Sequence, residues 1–404
     1  MKSGLPKVLH PVCGKPMIGH VVSVAKALGS LKTYVVVGFK HGLVRKVLDN
    51  DAKIVIQKKL LGTADAMKSA AAQLKGYHGD LVVLCGDTPL LTKETVKALI
   101  DRHQKTKAVC TVLTSILDNP HGYGRIIRDG ENRFLAIRED IEATDEEKKI
   151  REINTGVYCF NSSLLFAGID TIGLSQKKNE FFLTDIVELF VGQKKNVVTL
   201  TTDDAAETLG INTREDLALA GRIMRKRILR RLMLDGVTIE DPETTLVDDN
   251  VIIGQDTIIR AFTVIEGPSR IGRNCVLGPF CHVRPQSVLS DHVCLGNFSE
   301  VSRSTLGQGT FMKHFSFLGD AKVGRHVNIG AGVVTANYDG KNKSITKIDD
   351  GAFIGSDSIL VAPVHVKDKG VTGAGSVIVK NTIVPKGAVY VGVPARQQSR
   401  RRDE

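Results

Sequence analysis

The chain has no tryptophan, few aromatic residues and no Cys-x-x-Cys pair among its seven cysteines. An odd cysteine count without metal-ligand spacing speaks against a disulfide framework or a zinc site. It points instead to reduced thiols, and so to a cytoplasmic protein. No apolar run approaches the roughly 20 residues that a membrane-spanning helix needs, and no charged-then-apolar leader opens the chain. The formal net charge of +11 is moderate for 404 residues. Basic residues gather at Arg222–Arg231 and Arg396–Arg402. Nucleic acid or an anionic membrane would suit such clusters, but solvated faces suit them better, so neither partner is expected. The charge also suits small anionic ligands. The length allows two or three domains with real cores.

What the chain has in abundance is glycine, 39 residues, and a repeat that uses it. Val247, Ile253, Ile259, Ile265, Ile271, Leu277, Val283, Leu289, Leu295 and Val301 place an aliphatic side chain at every sixth position. A helix repeats near 3.6 and a simple strand at 2. A strict six with glycine often next in line predicts a left-handed parallel β-helix, with each hexad one flat face, the aliphatic residue inward and the following small residue turning the corner. The register slips by one at Leu306 and again at Val323. It breaks from Thr335 to Phe353 and resumes at Ile354, Leu360 and Val366. Such a break reads as an inserted loop on the working face. A solenoid can also be only a rigid spacer or oligomerisation stalk.

The first two hundred residues alternate strand-like and helical patterns. Tyr34–Val37, Lys53–Ile56, Leu81–Leu84 and Ala108–Leu113 read as strands, and Thr92–His103 as a helix with a Thr cap. This predicts an α/β doubly wound, Rossmann-like domain with a parallel sheet. Thr213–Leu234 reads as one linker helix opened by a Thr213–Asp216 capping box. The expected domains are 1–212, a linker at 213–234, the hexad prism at 235–395 and a basic tail at 396–404.

Single residues carry weaker signals. Gly86-Asp87 ends an apolar strand, where ligands of open α/β sheets bind, and a carboxylate there can hold Mg²⁺ on a phosphate. Equally it could cap the next turn. Lys7 could neutralise phosphate, and Gln57 with Gly62-Thr63 could read a base edge or form a plain turn. Glu139, Asn154 and Asn212 follow short strands and are as ambiguous. In the prism, His314 is the natural general base for an amine nucleophile near neutral pH, although a lone His is more often structural. Arg284 and Lys343 could hold a phosphate.

Together the segments resemble a family. Leu5-Pro-Lys-Val-Leu-His-Pro11, Leu61-Gly-Thr63, Gly86-Asp87, Tyr123-Gly-Arg-Ile126, Glu152-Ile-Asn-Thr-Gly156, Phe181-Phe-Leu-Thr-Asp-Ile186 and Gly210-Ile-Asn212 come in the order of the sugar-1-phosphate nucleotidyltransferases. Gly278-Pro-Phe280, Arg284-Pro285, Gly296-Asn-Phe298, Leu318-Gly-Asp320, Val327-Asn-Ile-Gly-Ala-Gly332, Asn337-Tyr-Asp-Gly-Lys-Asn-Lys343 and Val361-Ala-Pro363 continue it through the prism. The chain resembles, end to end, the bifunctional N-acetylglucosamine-1-phosphate uridyltransferases / glucosamine-1-phosphate N-acetyltransferases of bacterial cell-wall precursor synthesis.

The resemblance implies two active sites and a homotrimer. Lys7, Gln57, Gly62, Thr63, Gly86, Gly124, Glu139 and Asn154 would bind UTP and N-acetylglucosamine 1-phosphate, with Mg²⁺ on Asp87 and Asn212. In the prism His314 would be catalytic. Arg284, Ser302, Phe317, Asn328 and Lys343 would stand at the glucosamine 1-phosphate site, and Ala331, Asn337, Tyr338, Ser356 and Ala374 would contact acetyl-CoA. Ser302 and Phe317 replace residues usually Lys and Tyr, and a family Arg used for CoA falls at about Gly392. The family's Gly-rich loop, Ala-Ala-Gly-x-Gly-Thr-Arg, and the strand before it fall ahead of Met1. The expectation is therefore a nucleotidyltransferase domain truncated at its first strand, weak in uridyl transfer but competent in acetyl transfer. Two other readings fit less of the pattern. One is a nucleotidyltransferase whose prism only oligomerises. The other is a non-catalytic sugar-nucleotide or acyl-CoA binding protein.

Overall fold

The computed structural model describes residues 1–30, 32–48, 51–174 and 180–398. The chain forms two compact units, Met1–Val12 with Pro16–Ile223, and Cys13–Lys15 with Met224–Glu404. The division falls inside the long helix Arg214–Leu234. That helix opens with the expected capping box: Asp216 N–H donates to Thr213 Oγ1 at 3.0 Å and Thr213 N–H to Asp216 Oδ2 at 2.8 Å. Of the basic tail, residues 399–404 lie outside the described residues.

In the first unit, β1 (Tyr34–Val37) and β2 (Lys53–Ile56) pair in parallel as a two-stranded sheet. A six-stranded sheet holds β3 (Asp80–Val83), β4 (Cys110–Ile116), β5 (Arg125–Arg128), β6 (Phe134–Arg138), β7 (Glu152–Asn161) and β8 (Val197–Thr201). The α/β alternation is as expected, but the strand directions differ from a wholly parallel sheet. β4 and β8 are parallel, while β7 runs antiparallel to β3, β4 and β5. β7 is ten residues long and alternates half-buried with buried positions, then buries four residues in a row before a half-buried last one. It can therefore serve several neighbours at once, which no βα period reveals. The helix Lys93–Thr106 starts at Thr92, whose side chain accepts from Thr95 N–H.

The second unit is a parallel β-helix. Three sheets of ten, eight and eight strands form its faces. Face 1 begins at Thr238–Ile239, face 2 at Leu246–Val247 and face 3 at Val251–Ile253. Coils stack eighteen residues apart, as in Ile258 on Val276. At the two slips the spacing falls to seventeen, as in Val288 on Thr305 and Thr305 on Lys322. At the break it jumps to twenty-five, as in Lys322 on Lys347.

All ten hexad aliphatics are buried. The structure adds a second inward position to each hexad, four residues after the aliphatic one. Thr257, Thr263, Cys275, Cys281, Ser287, Val293 and Ser299 are all buried there. Small side chains fill the narrowing corner, and their hydroxyls meet backbone carbonyls, as Thr257 Oγ1 meets Gly272 O at 2.9 Å. Two of the seven free cysteines serve this purpose, and burial pushes the Cys281 thiol up to about 12.

The glycines do a different job from the one expected. The left-handed corner residue usually comes three positions after the aliphatic one and is often not glycine: Asp256, Asn274, Phe280 and Phe298 have φ from 53 to 60°. Glycine after the aliphatic residue is required by stacking. A Cβ on Gly296 would lie 1.8 Å from Lys313 O. The break is also narrower than the sequence suggests. Thr335 keeps the inward position, fully buried, and accepts from Gly319 N–H at 2.8 Å. Only 337–345 leaves the coil.

Candidate functional sites

In the first unit the expected residues gather in clusters. Lys7 Nζ donates to Asn212 Oδ1 at 2.9 Å and pairs with the Asp87 carboxylate. Ile211 N–H donates to Asp87 O at 3.0 Å, which ties the Asn212 segment to the chain following β3. Two hard oxygens thus converge on one cation, the Lys7 ammonium. That donor set fits Mg²⁺, which takes one or two protein oxygens and completes its shell with water and phosphate. Among the described residues, no group of three or more His, Cys, Asp or Glu could hold a metal.

Gln57 follows β2, and its amide donates to Gly62 O at 3.2 Å and Asp65 Oδ2 at 2.8 Å. Gly62 has φ 100°, and a Cβ there would lie 2.5 Å from Phe181 O. Thr63 Oγ1 accepts from Leu183 N–H at 2.9 Å. The Gly62-Thr63 turn is therefore moulded on the 181–183 segment. Gly86 is packed by Val8 and Ile18, with 3.1 Å between Ile18 and any Cβ there. Gly124 and Asn154 touch, Asn154 N–H donating to Gly124 O at 2.8 Å. Glu139 follows β6, whose Arg138 lies opposite Arg125, and accepts from Thr184 Oγ1 at 3.1 Å. Nearby, burial and the charges of Glu142, Glu188 and Glu139 push Asp185 up to about 6.

In the prism most of the expected residues lie on the two edges bounding face 2. On the edge between faces 1 and 2, backbone bonds stack His314-Phe315, Ala331-Gly332, Ser356-Asp357 and Ala374-Gly375. The steps are Gly332 N–H to Phe315 O at 2.6 Å, Asp357 N–H to Ala331 O at 2.6 Å and Gly375 N–H to Ser356 O at 2.8 Å. The catalytic candidate and three acetyl-CoA candidates therefore form one column. Below it Phe262, Phe280 and Phe298 stack ring on ring, 4.8 and 5.2 Å apart. His314 is exposed.

The edge between faces 2 and 3 carries Arg284, Ser302 and the 337–345 loop with Asn337, Tyr338 and Lys343. Arg284 is exposed and meets Glu300 at 3.1 Å. Ser302 is buried, its hydroxyl accepting from Arg303 Nη1 at 2.9 Å. Tyr338 and Lys343 bridge across the loop, and both are exposed. Phe317 lies on face 2 between Glu300 and Val334. Asn328 stands apart on face 1, between Phe311 and Phe353. Gly392 ends a strand folded back on Ala395–Gln397.

Single-residue reading missed Asp65, which fixes the Gln57 amide, and the Arg303–Asp320 pair. Asp320 stood in plain view in the Leu318-Gly-Asp320 motif, and both residues sit at the two register slips.

Fold and site define a nucleotide-handling α/β unit and a hexapeptide-repeat prism in one chain. Residues 2–210 match the Nucleotidyl transferase family. Bifunctional protein GlmU of Geobacillus sp. (strain WCH70) is 42% identical over 424 residues, covering 97% of this chain and 92% of that protein. Bifunctional protein GlmU of Pelobacter propionicus is 40% identical over 427 residues, and that of Listeria monocytogenes serotype 4b (strain CLIP80459) 39% over 424, each with the same coverage. The chain belongs to the nucleotidyl transferase family and, within it, to the bifunctional GlmU proteins.

Proposed function

We propose that the chain makes UDP-N-acetylglucosamine in two steps: acetyl transfer from acetyl-CoA to glucosamine 1-phosphate in the prism, then uridyl transfer from UTP in the N-terminal unit. The observation that carries this is the sorting of the prism candidates. The general-base candidate shares one edge with three acetyl-CoA candidates, while the cationic candidates and the other two, Asn337 and Tyr338, occupy the next edge of the same face. A spacer prism needs neither arrangement.

In the first step His314 takes a proton from the sugar amine as its nitrogen attacks the thioester carbonyl, and CoA leaves as the thiol. Arg284 and Lys343 hold the phosphate as cations, and Asn328, which stands apart on face 1, supplies its amide to a site built between neighbouring prisms of the trimer. Ala331, Ser356 and Ala374 offer small side chains against which the pantetheine arm can lie, with Asn337 and Tyr338 on the loop. In the second step a phosphate oxygen of N-acetylglucosamine 1-phosphate attacks the α-phosphorus of UTP, and pyrophosphate leaves. Gln57, Gly62 and Thr63 face the base, while Gly86, Gly124, Glu139 and Asn154 orient the sugar. Lys7 lowers the charge repulsion between the phosphates. Asp87 and Asn212 would hold Mg²⁺, which supplies charge neutralisation on the phosphates when bound.

The remaining parts of the reading are a homotrimer, a cytoplasmic location and domain bounds of 1–212, 213–234 and 235–395. Paired assays test the function. CoA release is followed with glucosamine 1-phosphate and acetyl-CoA, and pyrophosphate release with UTP and N-acetylglucosamine 1-phosphate. Saturable binding without turnover in either assay would establish a binding protein instead. Light scattering that shows a monomer at micromolar concentration would remove the trimer.

A further inference from the structure

We propose that Arg303 and Asp320 are positioning residues of the prism's acetyl-transfer site, clamping the 337–345 loop at both of its ends. The proposal rests on the acetyl-transfer reading above.

Arg303 meets Asp320 through two parallel bonds, Nε to Oδ1 at 2.7 Å and Nη2 to Oδ2 at 2.9 Å. This planar fork is the strongest and most directional form of an Arg–carboxylate pair. Both residues turn consecutive corners of the same edge with left-handed φ of 49 and 50°, and Asp320 N–H donates to Ser302 O at 3.0 Å. Here the faces are shortened, Val301 to Leu306 and Leu318 to Val323 spanning five residues where six is the rule. A left-handed corner needs no ion pair. One coil earlier the corner is turned by Gln286, with φ 63°.

What distinguishes this corner is the loop that follows it. The Asp320 carboxylate also accepts from the Asn337 side-chain amide, and the Asp320 carbonyl accepts from Thr346 N–H at 3.3 Å. One residue thus holds the first residue of the loop and the first one after it. The hydrogen bonds from Arg303 and Asn337, with the charges of Arg303 and Lys343, hold the Asp320 carboxyl below the usual carboxylate range despite partial burial. It remains an ionised acceptor at neutral pH.

The loop itself is internally braced. Asp339 Oδ1 accepts from the N–H groups of Lys341 and Asn342 at 3.0 and 2.8 Å, and Tyr338 Oη donates to Gly340 O at 2.6 Å. Tyr338 and Lys343 form an antiparallel bridge. Away from its ends the loop is tied to the prism by the exposed Lys380–Asp339 pair at 3.6 Å, and an exposed pair of this kind contributes little. Such a loop moves as a body, and its position is set chiefly where it is attached. Loss of the clamp should therefore displace Asn337, Tyr338 and Lys343 together. Neither Arg303 nor Asp320 need touch a reacting atom.

The test uses the full chain. Asp320→Asn keeps size and one acceptor but breaks the charge-assisted fork. Arg303→Lys keeps the charge and loses the second parallel bond. CoA release should fall at least 10-fold in kcat/KM for Asp320→Asn and by less for Arg303→Lys, with circular dichroism and trimer unchanged. Tryptic cleavage after Lys341 and Lys343, read by mass spectrometry, should accelerate at least 10-fold in Asp320→Asn and stay at the wild-type rate in His314→Ala. A merely structural pair would lower the melting temperature and leave kcat, KM and loop cleavage at wild-type values below it; that result overturns the proposal. Should Asp320→Asn fail to fold, Arg303→Lys decides by the same readouts. No CoA release from the wild-type chain would sink the acetyl-transfer reading and this proposal with it. Normal wild-type release with unchanged variants sinks this proposal alone.

Discussion

Gly319→Ala should disable acetyl transfer without touching the general-base candidate. Gly319 is buried on face 2, and its φ is not left-handed, so the backbone accepts alanine. The space does not. A Cβ at 319 would lie 2.7 Å from Asn337 Nδ2 and 2.7 and 2.9 Å from two ring carbons of Phe317, where ordinary contact begins at 3.4 Å. Each neighbour must retreat by about 0.7 Å, the difference between 3.4 and 2.7 Å. Overpacking of this kind costs about 1–3 kcal/mol, and a domain of this size would lose a few degrees in Tm while staying folded. The functional loss should be larger. Misplacing a positioning group by roughly 1 Å can cost about 100-fold in rate. An expected 10- to 100-fold drop in kcat/KM for CoA release follows, with pyrophosphate release unchanged. The assay is thiol release at varied glucosamine 1-phosphate and fixed saturating acetyl-CoA, then the reverse. Wild-type kcat and both KM values in a folded Gly319→Ala protein would refute the placement of Asn337 and Phe317 in the site.

His314→Ala should lower acetyl transfer by about 10²–10⁴-fold with an unchanged circular dichroism spectrum, and retained turnover would make His314 structural. Phe317→Tyr should lower the KM for glucosamine 1-phosphate, because it restores a hydroxyl on face 2, and an unchanged KM would show that the sugar does not reach that position. Asp185 has a folded pKa of about 6 against 3.8 unfolded. The folded state thus holds a proton that the unfolded state has lost, and stability falls as pH rises from about 4 to about 6. The full difference corresponds to no more than about 3 kcal/mol, less because the group is only half-buried. Asp185→Asn should flatten that part of the Tm–pH curve, and an unchanged slope would acquit Asp185.

The period of six was legible because one geometric rule acts on every coil. An aliphatic residue that misses its turn inward breaks the column, so Val247 through Val301 announce themselves. The second inward position was hidden. It accepts Thr, Ser, Cys or Val alike, since it needs only small size and a hydroxyl that can find a carbonyl. Thr335 reads as the start of the break for the same reason: a polar residue in the aliphatic slot looks like a loop until the Gly319 backbone is seen beside its hydroxyl. In the first unit the helices and strands lay close to where their patterns put them. The direction of β7 did not follow, because antiparallel pairing to three different strands is fixed by contacts distant in sequence.

The site shows the same division. Residue types could be carried over from a family pattern, but a hexad repeat does not say which edge a residue occupies. That follows only from counting coils, and the count changes at each slip. His314 and Ala331 are seventeen residues apart, Ala331 and Ser356 twenty-five, and Ser356 and Ala374 eighteen, yet all four stack in one column. No single period joins them. The two one-residue slips are visible in the sequence, at Leu306 and Val323, but nothing in the sequence assigns them a role. They mark where the prism gives up one residue per face to seat Arg303 over Asp320, directly beneath the point where seven extra residues enter the coil. In a fold this regular, departures from the repeat are the places where a functional or strained site is expected. A shortened corner next to an inserted loop is a stronger pointer to a site than any one histidine.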